Sequence, residues 1–96
     1  MKIESIKNGG TLTVGIEGRI DTLTAPELEN FLQENMDGID ALIIDCEKLA
    51  YVSSAGLRVF LSVNKKMKSS MKLINACELV MEVFEMTGFI DILTIE

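Results

Sequence analysis

The first clear pattern along the chain is strict alternation, because every second residue from Leu12 to Ile16 is apolar. This two-residue period predicts a β-strand over Thr11 to Glu17 that buries one face. A preceding strand, Ile3 to Lys7, is separated from it by Asn8-Gly9-Gly10, which is typical of hairpin turns. The chain is therefore predicted to begin with a β-hairpin.

The next segment changes to a helical period. Its apolar residues at helical spacing are Leu28, Phe31, Leu32 and Met36. Thr24 and Glu27 have the spacing of a capping box, and Pro26 lies in the first turn, where its missing N–H costs nothing. Leu23 is expected to pack on the first apolar residue of the helix as a hydrophobic staple. A first helix is predicted, with Thr24 as its N-cap and an end near Gly38.

The run Ala41 to Cys46 is nearly continuous in apolar residues, the pattern of a central strand covered on both faces. The same reasoning predicts four further elements: a helix from about Ser54 to Lys68, a strand over Met71 to Asn75, a short helix from about Glu78 to Met86 with Gly88 in the left-handed C′ position, and an edge strand over Ile92 to Ile95. The order β-β-α-β-α-β-α with a closing strand favours an α/β fold. We expect a small mixed sheet of about four to five strands, packed mainly on one side by about three to four helices.

Composition limits the class of protein. The 96 residues, 48% of them hydrophobic, have room for one domain, 1–96. The net charge of −6 argues against nucleic acid and anionic membranes as partners, because both attract cationic side chains. No apolar segment is long enough to span a membrane or resembles a secretory signal. A soluble, cytoplasmic protein is therefore expected.

The residue types present also limit the chemistry. The chain has no histidine, which removes Ser-His and Cys-His nucleophiles and the usual imidazole metal ligands. Cys46 and Cys77 are isolated, lack the paired spacing of a metal site, and are expected to be small buried thiols. No catalytic residue, cofactor or metal is predicted.

Two adjacent hydroxyls, Ser53 and Ser54, stand where the second helix is predicted to begin. A helix N-terminus favours a capping side chain, a bound anion or a covalently attached phosphate. The Gly-Lys-Ser/Thr ending of a P-loop and the three spaced glycines of a dinucleotide turn are missing, and so is the Gly-x-Ser-x-Gly elbow of a catalytic serine. Helix capping and covalent modification therefore remain as interpretations of the pair.

Four segments that span nearly the whole chain carry a resemblance to a known family: Gly18-Arg19-Ile20-Asp21 with Thr24-Ala25, then Leu42-Ile43-Ile44-Asp45, then Tyr51-Val52-Ser53-Ser54-Ala55-Gly56-Leu57-Arg58, and Thr87-Gly88-Phe89. In these segments the chain resembles the anti-sigma-factor antagonists, small STAS-domain proteins of bacterial partner-switching systems. The resemblance implies phosphorylation of a serine at this junction by an anti-sigma factor that is also a serine kinase. It also implies that the unphosphorylated form sequesters this kinase and frees a sigma factor, and that a phosphatase resets the system.

The resemblance places the phosphoacceptor at Ser54, just before Ala55-Gly56-Leu57. Many family members carry an aspartate at the position of Ser53, so Ser53 stays an alternative acceptor. The partner-binding residues that the resemblance implies are Asp21, Thr22, Ser53, Ala55, Gly56 and Arg58.

Simpler roles stay open for three residues near the serines. Asp21 suits turn chemistry, Arg58 suits a plain exposed position, and Leu57 is favoured as a core residue. A STAS-like scaffold subunit of a lipid-transport or signalling complex, without control by phosphorylation, is the alternative function. We expect a kinase substrate rather than an enzyme.

Overall fold

The structure, a computed structural model, describes residues 1–68 and 70–96. Its strands and helices are β1 (Lys2–Asn8), β2 (Thr11–Ile20), α1 (Ala25–Asn35), β3 (Ala41–Asp45), β4 (Leu49–Val52), α2 (Ser54–Lys66), β5 (Met71–Ile74), α3 (Glu78–Thr87), a short 3₁₀ helix (Phe89–Asp91) and β6 (Thr94–Ile95). The predicted opening hairpin and the later helices are present.

One mixed sheet has the strand order β1-β2-β3-β5-β6, with β4 paired beside β2. The β1–β2 pair is antiparallel and all other pairs are parallel. β2 is ten residues long, so its first half pairs with β3 and its last residues pair with β4. The two parallel strands β2 and β4 therefore end side by side.

The core lies on one face of this sheet. Register places Leu12 beside Leu42 and Leu42 beside Met71, and all three side chains are buried. The alternate residues of β3 are partly exposed. The prediction that this strand is covered on both faces is therefore wrong, because the helices cover one face and leave the other half-open. The expected one-sided α/β architecture is confirmed.

Helix faces close the core from the other side. The buried residues of the helices include Leu28 and Leu32 of α1, and Phe60 of α2 lies 6.5 Å from Phe84 of α3 between ring centroids. Burial of such side chains contributes about 1.5–3 kcal/mol each before conformational entropy is subtracted. This packing fixes the position of α2, and with it the serines at its start.

The strand β4 is absent from the predicted order. It has only four residues, too few for a reliable period, and its partner is an extension of β2 beyond the predicted end at Glu17. Within the described residues, no helix is both long enough and apolar enough to cross a membrane.

Candidate functional site

The candidate site forms where β2 and β4 end together. Ile20 and Val52 are paired across the two parallel strands, so Asp21 and Ser53 are the first residues beyond them. The Ser53 N–H donates to the Ile20 carbonyl oxygen at 2.8 Å. The loop after β2 thus lies against the serine junction.

Ser53 is the N-cap residue of α2, with an extended backbone (φ −91, ψ 177) and no side-chain cap hydrogen bond. Its Oγ atom is buried without a hydrogen-bond partner. The first hydrogen bond of the helix is made by the backbone, since the Leu57 N–H donates to the Ser53 carbonyl at 3.0 Å. The interpretation of Ser53 as a side-chain cap is therefore wrong.

Ser54 has the opposite environment, because it is the first residue of α2 and is exposed. The N–H groups of a helical first turn point toward its start and give that end a partial positive charge. The first turn of α2 contains no acidic residue, and the exposed Arg58 lies one turn further along. A negative group attached to Ser54 would meet favourable electrostatics from its own helix.

Gly56 lets α2 approach the sheet closely. A Cβ atom at this position would lie 2.7 Å from both the Ile20 Cγ2 and the Val52 Cγ2. Gly56 is buried, and so is the next residue, Leu57, which is 3% exposed and packs in the core as favoured from the sequence. Gly56 sets the distance between the serines and the strand ends.

The loop after β2 is held by hydrogen bonds between its own residues. The Asp21 carboxylate accepts from the backbone N–H groups of Leu23 (2.9 Å) and Thr24 (3.0 Å). The Thr24 hydroxyl accepts from the Asp21 N–H at 2.8 Å and donates to the Arg19 carbonyl at 2.9 Å. The Thr24 N–H, with smaller contributions from the Leu23 N–H and the Thr24 hydroxyl, lowers the pKa of Asp21. Asp21 therefore has the predicted turn chemistry, on a loop that touches the serine junction.

This bonding corrects two predictions for the start of α1. Thr24 has helical dihedrals (φ −96, ψ −21) and makes no side-chain cap bond, because its hydroxyl is turned back toward Asp21 and Arg19. The capping box with Glu27 is thus wrong. The hydrophobic staple is also wrong, since Leu23 is 88% exposed.

The structure also brings together two residues to which the sequence assigned no role. The Arg19 guanidinium lies 4.8 Å from the centroid of the Tyr51 ring, a cation–π distance, and the two residues are paired between β2 and β4. Their proximity depends on β4, which the hydrophobic pattern did not predict. Of the other predicted partner-binding residues, Thr22 is exposed and Ala55 is partly buried.

The two cysteines differ in environment. Cys46 is buried, and desolvation, with smaller contributions from Asp45 and Cys77, raises the pKa of its thiol to about 12. Cys77 is exposed, so the prediction that both thiols are buried is wrong for this one. Among residues 1–68 and 70–96, no three His, Cys, Asp or Glu side chains are grouped to hold a metal ion.

The model of the STAS domain family matches residues 2–96. The chain therefore belongs to the STAS domain family, and the resemblance that its motifs carry is confirmed. It is 38% identical over 96 residues to the putative anti-sigma factor antagonist BtrV of Bordetella bronchiseptica, covering 96% of this chain and 83% of that protein. It is 32% identical over 98 residues to the anti-sigma-B factor antagonist of Bacillus subtilis, covering 99% and 90%.

The fold matches solved structures as well. The Bacillus cell fate determinant SpoIIAA in its phosphorylated form superposes with a TM-score of 0.74 at 14% identity, over 99% of this chain and 91% of that one. At this identity the match concerns the fold alone. The relatives by sequence are anti-sigma factor antagonists, the class that the motifs indicated.

Proposed function

We propose that this protein is an anti-sigma factor antagonist controlled by phosphorylation of Ser54. In its unphosphorylated form it binds an anti-sigma factor that is also a serine kinase, and the sigma factor is released. Phosphorylation of Ser54 by that kinase ends the complex, and a phosphatase restores the binding form. The class named for the Bordetella and Bacillus subtilis relatives supports this assignment.

The observation that carries the proposal is the contrast between the two serines. The Ser54 side chain is exposed at the start of α2, whereas the Ser53 Oγ is buried between the helix and the strand ends. A kinase must reach the hydroxyl oxygen to transfer a phosphoryl group onto it. Access to Ser53 would require the first turn of α2 to open, so the geometry favours Ser54.

Electrostatics explain how this modification switches binding without unfolding the domain. A phosphate adds about −1.5 to −2 charges at neutral pH, and beside a helix N-terminus it gains ~0.3–1 kcal/mol. If the same group is buried against a partner without a counter-charge, the complex loses ~3–5 kcal/mol. At ~1.4 kcal/mol per tenfold change, affinity falls roughly 100- to 1000-fold or more.

The remaining residues of the site divide into contacts and supports. Thr22 and Arg58 are exposed and Asp21 is partly exposed, and all three are proposed to contact the kinase. Ala55 is partly exposed and Gly56 is buried, so Gly56 supports binding through the position of α2. The contact surface is thus the start of α2 and the loop after β2.

The test incubates the purified chain with its cognate kinase and ATP, followed by peptide mass spectrometry. We expect phosphate on Ser54 in the wild type and in Ser53→Ala, and none in Ser54→Ala. Ser5→Ala, an exposed serine on β1, is the matched control. Absence of phosphate from the Ser53-Ser54 peptide of the wild type would refute the proposal.

A binding measurement tests the switch itself. Ser54→Asp should lower affinity for the kinase at least tenfold, with a smaller effect than a phosphate because aspartate carries one charge. Ser5→Asp should bind as the wild type does. Full affinity of Ser54→Asp for the partner would contradict control of binding by charge at Ser54 and would favour the scaffold alternative.

A further inference from the structure

Leu23 is the most exposed large hydrophobic residue among those that the structure describes, at 88%. Single apolar side chains on a surface are common and need no role by themselves. Leu23 differs because of its place, since it stands in the loop that touches the serine junction. We propose that Leu23 is an apolar anchor that inserts into an apolar pocket of the kinase that binds Ser54, an inference that rests on the proposed function.

The loop holds this side chain outward in a defined position. The Leu23 N–H donates to the Asp21 carboxylate at 2.9 Å, and the Thr24 hydroxyl joins the Asp21 N–H to the Arg19 carbonyl. These bonds fix the backbone on both sides of Leu23 while its side chain packs on nothing below it. An anchor that is already ordered before binding loses less conformational entropy when the complex forms.

The distance between Leu23 and the serines is short enough for one partner to cover both. Leu23 is three residues beyond Ile20, so their Cα atoms are at most about 11 Å apart. Ile20 accepts the Ser53 N–H at 2.8 Å, and its Cγ2 lies under Gly56. A standard protein interface covers about 800 Å² on each partner, a patch roughly 30 Å across, so Leu23 and Ser54 fall within a single footprint.

The surroundings of Leu23 indicate the chemistry of its pocket. The nearest charged group on the loop is the Asp21 carboxylate, whose Oδ1 is already hydrogen-bonded to two backbone N–H groups. This oxygen is therefore already engaged within the loop, on the side of Leu23. Filling an apolar pocket with the leucine side chain removes hydrocarbon from water at no polar cost. The pocket is therefore aliphatic or aromatic and about the size of a branched side chain.

The two halves of the site then have different tasks. Leu23 supplies affinity in both phosphorylation states, whereas Ser54 makes that affinity depend on charge. Loss of the anchor weakens binding and raises the KM of the phosphorylation reaction, but leaves its kcat unchanged, because Leu23 does not touch the reacting atoms. A substitution that only perturbed the fold would not raise the KM while leaving the kcat unchanged.

The experiment measures the Kd of the wild type, Leu23→Ala and Leu23→Met for the kinase that phosphorylates the wild-type chain. We expect Leu23→Ala to bind about 10- to 50-fold more weakly, from the hydrocarbon removed, and Leu23→Met to bind within about threefold of the wild type. Met86→Ala is the matched control, because Met86 on α3 is 87% exposed and apolar. Thermal midpoints of all variants should agree within about 2–4 °C.

The outcomes separate the anchor from the proposed function. If the wild type binds the kinase and gains phosphate while Leu23→Ala keeps its affinity within twofold, the anchor is refuted and the proposed function stands. An equal loss in Met86→Ala also refutes the anchor, because the effect is then not specific to this loop. A wild-type chain that neither binds the kinase nor gains phosphate refutes both.

Discussion

Replacement of Gly56 by alanine tests whether close contact between α2 and the sheet positions the serines. The added methyl group would lie 2.7 Å from the Ile20 Cγ2 and the Val52 Cγ2, both on fully buried side chains. Carbon atoms in contact are normally about 3.5–4.0 Å apart. Both neighbours are β-branched and have little rotamer freedom, so the helix must move by roughly 1 Å.

Two effects of opposite sign determine the free energy of unfolding of Gly56→Ala. Alanine in place of glycine inside a helix contributes about 0.8–1.0 kcal/mol of stability. Insertion of a methyl group into a packed core costs about 1–3 kcal/mol. We expect a net loss of about 1 kcal/mol, which for a domain of this size lowers the thermal midpoint by about 4–8 °C. The displacement of Ser54 should reduce phosphorylation by the kinase further than this loss of stability alone.

Urea denaturation of a double-mutant cycle checks this reasoning. Val52→Ala removes one of the two opposing methyl groups, so Gly56→Ala should cost less in that background than in the wild type, with a coupling of about 0.5–1 kcal/mol. Ser62→Ala, on the same helix, serves as the control and should show no coupling to Val52→Ala. If Gly56→Ala stabilises the wild type by its full helix propensity, the close contact has no energetic consequence and the reasoning fails.

Three further predictions concern reactivity and local stability. Iodoacetamide at about pH 8 should label Cys77 in the native protein and Cys46 only after unfolding, because burial raises the pKa of the Cys46 thiol to about 12. Peptide mass spectrometry distinguishes the two cysteines, and labelling of Cys46 in the native protein would contradict its burial. Thr24→Val should lower the free energy of unfolding, measured in urea, by about 1–2 kcal/mol, because the loop hydrogen bonds of its hydroxyl are lost. Thr22 is exposed, so Thr22→Val should change this free energy by less than about 0.5 kcal/mol, and an equal loss in both variants would contradict the prediction. Gly88→Ala should lower the free energy of unfolding in urea by about 1–2 kcal/mol, because the φ of 79° at this position strains any residue with a Cβ atom. An unchanged free energy of unfolding would contradict this prediction.

Hydrophobic periodicity was sufficient to predict most of the fold. The alternation in β2, the helical face of α1 and the left-handed conformation at Gly88 are local signals, and the structure confirms all three. β4 was missed because a strand of four residues has almost no period of its own. Its existence depends on the extra length of β2, which is a property of tertiary pairing.

The start of α1 shows why short motifs mislead at loop ends. Thr24 and Glu27 have the spacing of a capping box, but the Thr24 hydroxyl accepts a hydrogen bond from the Asp21 N–H instead of capping the helix. The Thr24 N–H in turn donates to the Asp21 carboxylate, which closes the turn before α1. Turn chemistry at Asp21 is predictable from its residue type, but its competition with a Thr24 cap depends on how the loop folds. Leu23 is exposed as a consequence, because the turn that Asp21 closes directs it away from α1.

Because the Ser53 side chain does not cap α2, the proposed phosphorylation switch at Ser54 disturbs no side-chain cap of Ser53. Where a serine Oγ accepts the capping hydrogen bond, attachment of a phosphate to that oxygen rearranges the cap, and complete loss of a cap costs about 0.5–2 kcal/mol. Here the helix begins with a backbone bond from the Leu57 N–H to the Ser53 carbonyl, and the Ser53 Oγ makes no hydrogen bond. Phosphorylation of Ser54 therefore breaks no capping bond of Ser53 and adds an anion beside unpaired N–H groups. Under the proposed function the modification therefore acts mainly on the partner interface, because the helix N-terminus favours the added charge in the isolated domain, whereas the partner would bury it without a counter-charge.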